Sequence, residues 1–135
     1  DYFRLVSKSL CVSVDVGHAL HPNYPDKHEP RHQLLLNEGI ILKSSAQYKY
    51  ATDARTAAIV EGVCKKLNLP LQRFTGRGDI PSGSTIGPVV AHQMGMPTVD
   101  IGIAQLSMHS CRELIGAKDQ SDLTEFSSAL FLSEV

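Results

Sequence analysis

The stretch Asp15-Val-Gly-His18-Ala-Leu-His21-Pro-Asn-Tyr-Pro-Asp26-Lys-His28 gathers carboxylates and imidazoles close together in the chain. A carboxylate at the end of a buried strand, followed by a polar loop, suits a hard or borderline cation: the strand fixes the oxygen and the loop stays open to substrate. Asp15 has that position, because Leu10, Val12, Val14 and Val16 alternate with Cys11, Ser13 and Asp15, the period-2 signal of a strand. On spacing alone a second reading stays open, in which Asp15 caps the following turn. His18, His21, His28 and His32 have no cysteine at ligand spacing, which argues against a structural zinc finger. Loop histidines of this kind are more often hydrogen-bonded or solvated than ligating.

A second group is Ser107-Met-His109-Ser-Cys-Arg-Glu113, just after an apolar run. A histidine opening a helix there can offer one ring nitrogen to a metal while its other nitrogen is oriented by an acceptor. A satisfied, half-buried histidine fits the same spacing. The Gly/Ser turn Ser82-Gly-Ser-Thr-Ile-Gly87 leads into a helix, but it matches neither phosphate-loop nor dinucleotide fingerprints. Its expected use is close backbone approach to a substrate, or a tight turn. Arg77-Gly78-Asp79 resembles an adhesion triplet by coincidence, since nothing else points to a disulfide-stapled extracellular scaffold.

These residues need a frame. Leu10–Val16, Gly39–Lys43, Tyr48–Ala51, Leu71–Thr75 and Val99–Ile103 read as strands. Asp53 caps a helix whose face is Val60, Val63, Cys64 and Leu67, stopped by Asn68 and Pro70. A second helix presents Ile86, Val89 and Val90 and ends at Gly95. Ser121 opens a last one, with Leu123, Phe126 and Leu130 on its face. Gly17 to Glu38 is a long polar loop, of a length that is usually functional or disordered. Alternating strands and helices give an α/β class with a largely buried sheet.

Composition sets the outer bounds. The chain has 135 residues, 42% apolar and 20% charged, enough for one real core but not comfortably for two. A formal net charge of -1 leaves no electrostatic footprint for nucleic acid. No apolar run approaches the ~20 residues needed to cross a bilayer, so no membrane partner is expected. Three widely spaced cysteines without a C-x-x-C pair fit a reducing, cytoplasmic setting. Asp1-Tyr-Phe-Arg-Leu looks like a helix already under way, so residues 1–135 are expected to be part of a longer protein.

Taken in order, four blocks resemble the aspartyl aminopeptidases, the M18-type two-metal exopeptidases. The blocks are Ser13–His28, Ser82-Gly-Ser-Thr-Ile-Gly-Pro88, Val99-Asp-Ile-Gly102 and Met108-His-Ser-Cys-Arg-Glu113, and together they cover nearly the whole chain. The resemblance implies an α/β fold with a mixed sheet flanked by helices, the C-terminal portion of the catalytic domain, without the upstream catalytic part or the dimerisation domain. It implies that Asp15 and His109 each bind one of two zinc ions. It implies that His21 serves the active site of a neighbouring subunit, at the substrate carbonyl. Lys43 and Tyr50 match positions facing an acidic first side chain of a peptide, and Met108 joins these substrate contacts. Asp79, Asp100 and Glu113 are expected to be supporting carboxylates rather than ligands. The family's early histidine, bridging aspartate and Glu-Glu pair have no counterpart here, so the isolated chain is expected to be inactive. Two other readings follow from the same residues: a relative preferring neutral N-terminal residues, and a non-catalytic assembly module. The family also implies a homo-oligomer, a tetrahedral dodecamer of complete subunits.

Overall fold

A computed structural model describes residues 1–133. Strands β1 (Cys11–Val14), β3 (Ile40–Ser44), β4 (Leu71–Thr75) and β5 (Thr98–Gly102) form a sheet in the order β1-β5-β3-β4. β1 runs parallel to β5 and β3 parallel to β4, while β3 and β5 are antiparallel, with Ile41 opposite Gly102 and Leu42 opposite Ile101. The sheet is therefore mixed, as the family resemblance implies. A smaller sheet joins β2 (Gly17–His18), β6 (Ala104–Leu106) and β7 (Leu114–Ile115).

Period-2 alternation divides the strand side chains between two faces. Ile40, Leu42, Val99 and Ile101 turn to one side and bury against Val60 and Cys64 of helix α2 (Ala54–Leu67) and Phe126 of helix α4 (Ala117–Phe131). Each such side chain contributes about 2 kcal/mol. Burial also pushes the Cys64 thiol up to about 11. The alternate positions, Ser13, Ile41, Lys43, Asp100 and Gly102, turn to the other side, where helix α3 (Gly87–Met94) packs on β1 and β5. Polar residues on that buried face are the first structural sign of a site.

Local signals explain the helix ends. Asp53 forms a capping box with Thr56 at the start of α2, and Asn68 ends it in the left-handed conformation. Gly95 ends α3 in the same way. The short helix α1 (Tyr2–Val6) agrees with the helical reading of the first residues.

Five expectations need correction. Val14 is 52% exposed, whereas its neighbour Ser13 is buried, because the core on the valine face ends at Val12. Tyr48–Ala51 is not a strand: Tyr48 has φ 56° and the Ala51 amide is taken by Asp100 rather than by a neighbouring strand. Ile86 and Val89 are exposed instead of forming a buried face. Ser121 lies inside α4, which starts after Gly116. Its cap comes from elsewhere, since Asn37 Oδ1 accepts from the Lys118 N–H at 3.1 Å. Finally, His109 opens no helix; it sits at φ 67° in the turn between β6 and β7.

Candidate active site

Strand ends and loops on the Lys43 side enclose a cleft of about 800 Å³. Asp15, His21, Lys43, Tyr50, Met108 and His109 all line it. They come from five separate segments of the fold, so topology rather than sequence proximity brings them together.

Asp15 follows β1 directly, and its Oδ1 accepts from the Val16 N–H at 2.8 Å. This contact joins adjacent residues with no turn after them, so it is not the turn cap that spacing leaves open, and Oδ2 lies 3.8 Å from Lys43 Nζ. Lys43 is 2% exposed, not a solvated strand end. Its Nζ donates to the Val16 carbonyl at 2.9 Å and lies 5.7 Å from the centre of the Tyr50 ring. Burial pulls the Lys43 ammonium below its ordinary pKa, and Asp15 and then Asp100 oppose that shift. Tyr50 packs edge-on against Phe74, with ring centres 6.0 Å apart, and burial raises its phenol. Gly102 sits directly beneath: a Cβ there would overlap the Asp15 carbonyl and reach within 3.3 Å of Lys43 Cε.

The histidines take different roles. His28 is buried and its Nε2 pairs with the Ala19 carbonyl at 3.2 Å, tying the loop back to β2. His18 faces the cleft, and partial burial, then His28, His109 and Lys43, lower its pKa. His21 is half-buried and tilts against Tyr24, ring centres 5.2 Å apart. The His109 amide donates to Glu113 Oε1 at 2.6 Å, which fixes the turn and holds the Glu113 carboxyl below its usual range. Glu113 supports His109 through its backbone. Asp79 pairs with Arg77 at the surface, and that pairing lowers the Asp79 carboxyl.

Asp15 and His109 supply one oxygen and one nitrogen donor, chemistry that suits zinc. Among the described residues, however, no three His, Cys, Asp or Glu side chains converge into a metal-holding group. These residues therefore fit as part of a zinc site, not as a complete shell.

Asp100 is one of the expected supporting carboxylates. Its carboxylate is fully buried and collects the Ala51 N–H at 2.6 Å and the Thr85 hydroxyl at 2.5 Å. The signal was the charged residue in the apolar run Thr98-Val-Asp-Ile-Gly102, because a buried charge must be hydrogen-bonded.

Comparison with known proteins fits this arrangement. A family model described as aminopeptidase I zinc metalloprotease (M18) matches residues 1–131. The chain belongs to the M18 aminopeptidase family. A probable M18 family aminopeptidase 2 of Mycobacterium bovis is 50% identical over 135 residues, covering 98% of this chain and 30% of that protein. A probable aspartyl aminopeptidase of Ricinus communis is 45% identical over 128 residues, covering 95% of this chain and 26% of that protein. The S. cerevisiae mApe1 dodecamer structure superposes with a TM-score of 0.86 at 35% identity, covering 98% of this chain and 28% of that one. The chain thus spans between a quarter and a third of the length of these relatives. No helix among its described residues is long and apolar enough to cross a membrane.

Proposed function

We propose that this chain forms part of the active site of a metallo-aminopeptidase that removes N-terminal Asp or Glu from peptides. The observation that carries the reading is the buried Lys43 ammonium, lining the cleft beside Asp15 and Tyr50. A desolvated point cation attracts a carboxylate side chain far more strongly than it attracts a neutral one. Tyr50 beside it and Met108, which lines the same cleft, would form the apolar part of the first-residue pocket.

Asp15 and His109 would each hold one of two zinc ions, the remaining ligands coming from outside this chain. When bound, paired zinc ions lower the pKa of a shared water and polarise the scissile carbonyl. This chain's own work is recognition and placement. Lys43 takes the acidic side chain, and the Lys43 contact with the Val16 carbonyl keeps the backbone after Asp15 in place. His21 is assigned to a neighbouring subunit's substrate carbonyl, which requires a homo-oligomer. The relative whose structure is titled a dodecamer supports that assignment, and the plant relative's name supports the acidic preference. By itself, residues 1–135 should neither bind two zinc ions tightly nor turn over substrate.

The test uses the full-length protein that carries this chain. Its kcat/KM on aspartyl and glutamyl anilides is expected to exceed that on leucyl and alanyl anilides, with all four activities lost in His109→Ala. Faster cleavage of the leucyl substrate would select the neutral-specific alternative. Retained activity in His109→Ala would remove that residue from the zinc set.

A further inference from the structure

Asp100 does not line the cleft, yet its carboxylate touches two segments that do. Its Oδ2 accepts the amide of Ala51, the residue after Tyr50, and its Oδ1 accepts the hydroxyl of Thr85, which ends the Gly/Ser turn. The backbone repeats the tie, because the Asp100 N–H donates to Thr52 Oγ1 at 2.9 Å. Gly87, at the start of α3, leaves the carboxylate no slack: a Cβ at that position would collide with both of its oxygens.

We propose that Asp100 is a positioning residue for recognition of the substrate's first side chain, its carboxylate locking the Tyr50 segment and the Thr85 turn into one fixed pocket. The inference rests on the reading of Lys43 and Tyr50 as the first-residue pocket. Three observations favour a positioning role over simple core structure. Asp100 is completely buried, where an apolar residue would be less costly to hold. Among the described residues no lysine, arginine or histidine forms a salt bridge with it, so its hydrogen bonds are spent on neutral groups from the two cleft segments. Its charge also acts on Lys43 and Tyr50, the two groups assigned to the substrate side chain. Charge-assisted hydrogen bonds to loop backbone and hydroxyl groups are the kind that hold a binding wall in geometry.

The experiment measures kcat and KM separately on aspartyl and leucyl anilides, for full-length Thr85→Val, Thr85→Ser, Asp100→Asn and Lys43→Met. Thr85→Val keeps the shape of the side chain and removes the donor. It is expected to raise KM for the aspartyl substrate about tenfold, the loss of one charge-assisted hydrogen bond, with a smaller effect on the leucyl substrate. Thr85→Ser restores the donor and should recover the wild-type KM. Asp100→Asn, checked for folding by its thermal midpoint, should act in the same direction and further than Thr85→Val. If Lys43→Met abolishes the acidic preference but Thr85→Val leaves both KM values unchanged, the Asp100 inference alone fails. An equal loss of kcat on both substrates in Thr85→Val and Thr85→Ser also overturns it. If Lys43→Met itself leaves the preference intact, the pocket reading fails and takes this inference with it.

Discussion

Lys43 Nζ lies 3.8 Å from Asp15 Oδ2, but its hydrogen bond goes to the carbonyl of Val16 at 2.9 Å. The ammonium therefore anchors the backbone just past Asp15 and keeps only a long ion pair with its carboxylate. Sheet register explains how residues distant in sequence meet this way. β3 and β1 are not neighbours; β5 lies between them, and its Gly102 is side-chain-free where Lys43 must cross. Lys43 and Asp15 thus meet across Gly102, which has no side chain to come between them.

Lys43→Met in the full-length protein is expected to lower the preference for aspartyl over leucyl substrates about a hundredfold, with less effect on the leucyl rate itself. The same lysine should give a pH signature. Burial depresses its folded-state pKa, so the cation is lost at lower pH than from an exposed lysine. Acidic preference should then fall on the alkaline side of the profile, and this fall should be absent in Lys43→Met. Stability runs in the opposite sense. Between the depressed folded pKa and the ordinary lysine value the unfolded chain binds more protons, so stability attributable to Lys43 rises with pH through that window. Urea unfolding across alkaline pH, wild type against Lys43→Met, measures it. An unchanged difference between the two would contradict the assignment.

Much of the frame was legible because it rests on local signals. The Asp53 capping box, the Asn68 and Gly95 stops and strand Leu71–Thr75 all appear where the sequence puts them. The failures share a cause: long-range contacts overrode local pattern. Ala51 reads as strand but gives its amide to Asp100, and α4 reads as starting at Ser121 but takes a cap from Asn37. For the site, residue types and resemblance pointed to Asp15, Lys43, Tyr50, Met108, His21 and His109, and all six line one cleft. What spacing could not supply was Lys43's burial, since a strand-end lysine looks solvated until the strands on both sides are known. The place of Gly102 beneath Lys43 was hidden for the same reason, whereas Asp100 was legible as a supporting carboxylate.

Asp119 illustrates how much stability hangs on one such long-range contact. Its buried carboxylate accepts the Asn37 and Gly39 amides, each at 2.7 Å, and both donors sit in the positive-φ turn that launches β3. Removing it strands two donors in a closed space. Asp119→Ala should destabilise the protein by about 3 kcal/mol, read as a lower urea midpoint with an unchanged denaturant slope. A loss below about 1 kcal/mol would mean that water or a shifted turn satisfies both amides.

Gly102→Ala offers the sharpest link between fold and chemistry. The added methyl cannot fit without moving the Asp15 carbonyl, because that atom is backbone rather than a flexible side-chain tip, and Lys43 Cε closes the other direction. Both Asp15 and Lys43 must shift, and the proposed function assigns the first to a metal ion and the second to the substrate side chain. Displacing a reacting group by an ångström costs about a hundredfold in rate, so Gly102→Ala should lose about that much kcat/KM on aspartyl and leucyl substrates alike. This pattern differs from Lys43→Met, which spares the leucyl rate. The buried methyl also crowds the sheet, so the thermal midpoint should fall in parallel. If Gly102→Ala instead lost acidic preference while keeping its leucyl rate, Asp15 would have stayed in place and Lys43 alone would have absorbed the strain.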